Sequence, residues 1–97
     1  MPFTVLLDLQ LKPDNLDNAH AEIHTILTDT RAFAGCLGVE VLVGAQDRAH
    51  VLLVERWESA EHDAVYRAWR AGDGATNLGS LLAAAPTVSM FHTSAEI

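Results

Sequence analysis

The middle of the chain constrains the fold most, because it holds two β-rich runs in tandem. Apolar residues alternate over residues 36–44, and residues 50–57 are largely apolar on both faces. The polar residues 45–48 between the runs are typical of a hairpin connection. Two apolar faces are typical of a central strand covered on both sides. The second run ends on Trp57, and Ser59, a residue type that caps helices, follows it. These features predict a hairpin that feeds directly into a helix.

The segment before the hairpin changes its hydrophobic period once. Residues 3–12 alternate with the period of a strand, and Pro13 stops that strand. From Leu16 onward apolar residues recur at about 100° per residue, which is the helical period. We therefore predict a first strand followed by a helix that ends near Arg31.

The segment after the hairpin predicts a second helix and a last strand. Ser59 caps a helix that runs to about Ala71, residues 78–85 form a short helix, and residues 87–94 form a strand. The order is then β-α-β-β-α-β, an α+β fold of the ferredoxin-like plait type. We expect one domain over residues 1–97, with an antiparallel sheet that carries both helices on one face.

The first strand predicts a homodimer. One of its faces carries only large apolar residues: Phe3, Val5, Leu7, Leu9 and Leu11. An apolar patch of this size rarely stays in water on a monomer. We expect this face to meet a second copy of the chain, so that two sheets pack face to face. The mixed face with Asp8 and Gln10 would then look toward the helices.

Composition excludes several kinds of partner. The formal net charge is −7 and only six residues are Lys or Arg, so neither nucleic acid nor an anionic membrane is an expected partner. No apolar run approaches the roughly 20 residues of a membrane span. A single cysteine, Cys36, cannot form an intrachain disulfide, which favours a cytoplasmic location.

The two central runs also resemble a known family. The stretches AGCLGVEV at 34–41 and VLLVERWES at 51–59, placed between two helices, resemble the antibiotic biosynthesis monooxygenase family of dimeric α/β-barrel proteins. The resemblance implies a homodimer with a small cavity between sheet and helices in each subunit. Some members of the family oxidise phenols or quinols with O2 and need no metal, flavin or haem. The resemblance therefore implies that this chemistry is one candidate function of the chain.

Particular residues narrow this resemblance. Anthrone-type oxygenases carry a Trp-Glu-Ser motif and a downstream Tyr-Arg pair, which residues 57–59 and 66–67 resemble. Quinol-oxidising relatives commonly have a histidine at the position of Tyr66. Haem-degrading relatives carry an asparagine on the first strand, which this strand lacks. The resemblance therefore favours aromatic oxidation over haem degradation.

The second helix supplies the candidate catalytic residues. His62, Val65, Tyr66 and Trp69 share one stripe, which we expect to face the sheet. A histidine can accept the proton of a phenol, and a tyrosine hydroxyl can orient a substrate oxygen. Trp57 and Trp69 can wall a flat ring. The alternative for all four polar or aromatic candidates is plain packing at the edge of the core.

Three further residues are candidate substrate contacts. Arg67 and Asp8 could hold a substrate oxygen beside Tyr66, and His20 could line the mouth of the cavity. His20 and His24 stand four residues apart, which is metal-ligand spacing, but no third ligand accompanies them. We expect no metal site.

The sequence leaves three functions open. The first is a cofactor-independent monooxygenase that oxidises a small phenolic, hydroquinone or polyketide-like aromatic with O2 as co-substrate. The second is a non-catalytic dimer that binds a small ligand. The third is an isomerase or cyclase that uses the same base without oxygen.

Overall fold

A computed structural model describes residues 1–97 and shows a four-stranded antiparallel sheet. The strands are β1 (Phe3–Gln10), β2 (Cys36–Val43), β3 (His50–Trp57) and β4 (Thr87–His92). Their order in the sheet is β2-β3-β1-β4. The element order β-α-β-β-α-β confirms the predicted ferredoxin-like plait. Strand β3 is central, as its apolar character predicts.

Two helices connect the strands: α1 (Leu16–Ala32) and α2 (Ala60–Arg70). The side chain of Ser59 caps α2, because its Oγ accepts the backbone N–H of His62 at 3.2 Å. Neither helix combines the length and apolar character that crossing a membrane requires.

The core lies between the helices and one face of the two inner strands. Val5, Leu7 and Leu9 are buried on β1 and pair in register with buried residues of β3. Ile23 and Leu27 stand four apart on α1 and cover this face. Burial of each such side chain contributes about 1.5–3 kcal/mol. This face is therefore the main stabilising surface of the chain.

This arrangement corrects the expected orientation of β1. The apolar face of Phe3 packs beneath the chain's own helices and does not face a second copy, while Asp8 points to the opposite side and is exposed. The helices take the more apolar face because that choice buries most apolar surface within one chain.

The opposite face of the sheet, which we call the helix-free face, is still partly apolar. Its apolar residues are half-buried or exposed: Leu6, Leu42, Leu52, Val54 and Phe91. Four of them are adjacent, because Leu6 pairs with Val54 and Leu42 pairs with Leu52. The β3 strand is therefore covered on one side only within a single chain.

The predicted helix over residues 78–85 is shorter than expected. Only Leu78–Leu81 is helical, as a 3-10 turn. The next residues join the end of β1 instead, because the N–H of Ala83 donates to the carbonyl of Gln10 at 2.8 Å. After residue 81 the backbone therefore makes sheet hydrogen bonds, where the sequence pattern predicted a further helical turn.

The turn before β2 gives a prediction about stability. Gly35 has a φ of 88°, and a Cβ atom there would overlap the ring of His62. We expect Gly35→Ala to cost about 1–3 kcal/mol of unfolding free energy, since it adds a steric overlap to a left-handed backbone. Gly79→Ala is the matched control, because nothing lies within 4 Å of a Cβ there. Urea unfolding of both variants measures the difference, and equal stabilities would contradict the prediction.

Candidate functional site

A cavity of about 140 Å³, which we call the inner cavity, lies between the sheet and the two helices. The sheet forms its floor, and the helices and the 76–78 segment form its walls. Its lining residues are Leu7, Ile26, Leu27, Leu53, Glu55, Tyr66, Arg67, Arg70, Thr76 and Leu78. An apolar chamber thus contains one carboxylate, two guanidinium groups and one phenol.

The hydroxyl of Tyr66 is held by two partners. It lies 2.6 Å from the Oγ1 of Thr30 and accepts a hydrogen bond from the Nε of Arg70 at 2.8 Å. Thr30 Oγ1 donates to the carbonyl of Ile26, so the Tyr66 hydroxyl donates to Thr30. A phenol oxygen has two lone pairs, and Arg70 occupies one of them. Tyr66 therefore keeps one lone pair that can accept a hydrogen bond from a guest.

Arg70 carries a charge that no carboxylate of the chain neutralises. Four of its N–H groups donate to neutral oxygens, those of Tyr66, Thr30, Ile26 and Gly74. A guanidinium has five N–H groups, so one at Nη1 remains free. None of the ion pairs in the fold includes Arg70. This part of the inner cavity favours a negatively charged guest.

Glu55 is the buried carboxylate of the site, with 2% of its surface exposed. Its Oε1 pairs with Arg67 and accepts the indole N–H of Trp57 at 3.4 Å. Burial raises the pKa of Glu55 above its ordinary value of 4.5, and the charge of Arg67 opposes that rise. Arg67 also binds the buried Asp63 at 3.0 Å. Glu55 is therefore a carboxylate with enhanced affinity for a proton inside a cavity.

The structure places His62 outside this cavity. Its Nδ1 lies 2.7 Å from the Oγ of Ser59, and its Nε2 lies 3.6 Å from Glu58, so it sits at the start of α2 beside Gly35. The expected stripe is also rotated, because Val65 is 62% exposed and Asp63 faces inward instead. His62 and Tyr66 therefore do not meet at one guest.

Trp57 and Trp69 pack against other aromatic rings, which is the alternative to a role in substrate binding. The ring of Trp57 is fully buried and lies 4.8 Å from that of Tyr66. Phe33 contacts both Tyr66 and Trp69, with ring centroids 5.2 and 5.3 Å away. Neither tryptophan lines the inner cavity. They fix the ring of Tyr66 from behind and do not wall a guest.

Asp8 and His20 lie away from the inner cavity. Asp8 is exposed on the helix-free face, where it binds His50 at 2.8 Å. His20 lines a second cavity of about 250 Å³ between α1 and β2, which we call the outer groove. Leu27 lines both spaces and separates them. Of the expected substrate contacts, only Arg67 lines the inner cavity.

Sequence reasoning missed Glu55, Thr30 and Arg70. The sequence could have identified Glu55, because alternation places this carboxylate on the same face of β3 as the apolar Val51 and Leu53. A charged side chain on a buried face requires a partner. Arg70 stands four residues after Tyr66, a spacing that places side chains together on a helix.

The comparisons with known proteins identify the family. Residues 2–77 match the antibiotic biosynthesis monooxygenase family. The chain belongs to this family, as its central motifs predict.

Solved structures share the fold over nearly the whole chain. Rv0793 from Mycobacterium tuberculosis superposes with a TM-score of 0.82 at 23% identity, over 99% of this chain and 98% of that one. A protein described as an antibiotic biosynthesis monooxygenase gives a TM-score of 0.80 at 19% identity, over 95% and 98% of the two chains. A conserved protein from Methanosarcina mazei Go1 gives 0.81 at 15% identity, over 97% and 94%. At these identities the likeness establishes the fold alone. No curated protein matches the chain.

No group of three or more His, Cys, Asp or Glu side chains is arranged to hold a metal ion. The two histidines with metal-ligand spacing on α1 have no third donor beside them. The charged and phenolic groups that line the inner cavity are Glu55, Tyr66, Arg67 and Arg70.

The buried carboxylate predicts a pH effect on stability. Because the pKa of Glu55 is raised in the fold, its contribution to stability is complete below about pH 4.5 and is lost as the pH rises through its folded pKa. We expect the unfolding free energy of wild type, relative to Glu55→Gln, to fall between acidic and neutral pH. Urea unfolding across that range measures it. Glu96→Gln, which removes a carboxylate in the exposed tail, is the control. A flat difference for Glu55→Gln would contradict the prediction.

Proposed function

We propose that the chain is a cofactor-independent monooxygenase that oxidises a single-ring phenol or hydroquinone with O2 in the inner cavity. One observation carries the proposal: a buried carboxylate and an unneutralised guanidinium line the same apolar chamber. Membership of the antibiotic biosynthesis monooxygenase family supports it.

The volume of the inner cavity limits the substrate. An apolar cavity of ~150 Å³ in another protein binds benzene. The 140 Å³ of the inner cavity therefore suits one aromatic ring. A polyketide-like molecule of several fused rings would require Leu27 or another wall to move.

In this proposal the general base is Glu55, in place of His62. Burial makes its carboxylate a better proton acceptor than an exposed one, because the low dielectric disfavours its charged form. A phenol in the inner cavity transfers its proton to Glu55. Before this transfer the phenol hydroxyl can donate to the free lone pair of Tyr66, which positions its oxygen. After the transfer the phenolate oxygen accepts the free N–H of Arg70, whose charge stabilises it.

The oxidation needs no electrons other than those of the substrate. The phenolate ring attacks O2 at a ring carbon that bears hydrogen, and a C–O bond forms. Proton uptake from Glu55 gives a hydroperoxide, whose O–O bond breaks as the ring C–H proton leaves. One oxygen atom becomes the second quinone carbonyl, and the other leaves as water with the hydroxyl and ring hydrogens. The ring loses four electrons and O2 gains four.

We also propose that the chain forms a homodimer through the helix-free face. This face carries the adjacent apolar residues of three strands, and nothing within the chain covers it. A small domain gains stability by burying such a face in a second copy. The two sheets would then pack as the family resemblance implies.

Oxygen uptake with phenol and hydroquinone tests the activity. We expect Glu55→Gln to lower kcat by about 10²–10⁴, since a positioned general base contributes that factor. Arg70→Gln should lower kcat as well, and Tyr66→Phe should raise KM. His62→Ala is the control and should retain the activity, because His62 does not line the inner cavity.

Two outcomes would contradict this assignment. Loss of uptake in His62→Ala with normal uptake in Glu55→Gln would return the base to His62. Binding of phenol by wild type without any oxygen uptake would leave a ligand-binding protein or an isomerase on the same site.

Light scattering after gel filtration tests the dimer. We expect Leu52→Asp to shift the protein to monomer, because it places a charge in the middle of the helix-free face. Val65→Asp is the matched control, since Val65 is exposed on α2, away from that face. Far-UV circular dichroism checks that both variants fold. A dimeric Leu52→Asp variant would exclude this face as the interface.

A further inference from the structure

We propose that the outer groove binds a small apolar carboxylate, such as a medium-chain fatty acid, with Arg31 as the residue that holds the carboxylate. The groove has a volume of about 250 Å³. That is slightly below the ~300–1,000 Å³ of drug-sized sites, so its guest is small. The proposal is independent of the reaction in the inner cavity.

The walls of the groove are apolar and belong to rigid elements. Ile23 and Leu27 of α1 form one side, and Val41 and Val43 of β2 form the other. Val41 and Val43 point to the helix side of the sheet, yet they are 37% and 46% exposed. Helix α1 therefore leaves a strip of the sheet open, and an apolar chain laid there would cover it.

Arg31 is the only Lys, Arg, Asp or Glu residue that lines the groove, although the chain carries a net charge of −7. The other polar residues of the lining are His20 and His24. Arg31 makes one hydrogen bond, from Nη2 to the carbonyl of Val39 at 3.0 Å, and no carboxylate pairs with it. Its other N–H groups are free to bind an anion.

A monocarboxylate fits this lining better than other anions. The planar guanidinium matches a carboxylate in a two-point contact. One arginine balances one negative charge, whereas a phosphate group calls for more cations than the groove holds. The remaining lining is apolar, so the burial of a hydrocarbon chain or ring against it is favourable.

The groove is distinct from the inner cavity because Leu27 separates them. Leu27 is only 2% exposed and lines both spaces. Leu27 is the only residue that lines both spaces, and no residue of α2 lines the groove. Binding there therefore does not depend on the chemistry of the inner cavity.

Titration with octanoate, followed by calorimetry and by amide chemical shifts, tests the proposal. We expect saturable binding, with shifts centred on residues 20–31 and 41–43. Octanol, which has the same chain without the charge, should bind roughly tenfold or more weakly. Arg31→Gln should weaken octanoate by a similar factor and leave octanol unchanged. Arg48→Gln is the matched control, because Arg48 is exposed, pairs with Asp17 and does not line the groove.

A second variant guards against an uninformative result. Val43→Glu places a negative charge in the groove at an exposed position, so it should fold normally and lose octanoate binding. Equal binding of octanoate and octanol, an unchanged affinity in Arg31→Gln, or shifts centred on Tyr66 would each overturn the proposal. Absence of binding with a change of oligomeric state in Val43→Glu would also overturn it, and would identify a second copy of the chain as the occupant.

Discussion

The ion pair between Glu55 and Arg67 is the interaction on which the rest of the site depends. A carboxylate in the middle of β3 is 2% exposed, and burying it without a cation would cost several kcal/mol. Arg67 must therefore reach the sheet from α2, and this requirement sets which side of α2 turns inward. Asp63, one helical turn before Arg67, also pairs with the guanidinium of Arg67 and is buried like Glu55. The same rotation brings Tyr66 over the sheet and leaves Val65 in water. The geometry of the inner cavity is thus a consequence of one buried charge and its partner.

Periodicity in the sequence predicts most of the fold, but not which sheet face the helices cover. The strands and both helices follow from the change between alternation and helical spacing, and the family motifs agree with them. Alternation along β1 assigns Phe3 and Asp8 to opposite faces of the sheet. It does not predict which of these two faces the helices cover. The helices cover the face that buries more apolar surface. An expectation that a dimer partner would take that face gave Asp8 a role that its exposed position does not support.

The candidate site was less predictable, because its contacts join distant parts of the chain. The hydroxyl of Tyr66 binds Thr30, which lies 36 residues earlier. Arg70 reaches back to the same residue over 40 positions. A helical stripe assigns neighbours within α2, yet it does not give the rotation of α2 about its axis. That rotation turns the side chain of His62 away from the inner cavity, and its Nδ1 lies 2.7 Å from the Oγ of Ser59. Tyr66 faces inward under either rotation. Arg67 lies outside the predicted stripe and was named only from the Tyr-Arg pair of the family resemblance.

The charge of Arg70 connects the architecture with the proposed chemistry. Its four hydrogen bonds end on neutral oxygens, so the fold satisfies its donors without neutralising its charge. A partly buried cation of this kind stabilises any anion that enters the inner cavity. Glu55, on the same cavity wall, favours the transfer of a proton to itself. In the proposed reaction, a neutral phenol that enters meets a proton acceptor and a stabilising cation together, and both groups ease its ionisation. Since a phenolate is far more electron-rich than a phenol, the proposal assigns the reactivity toward O2 to the substrate itself.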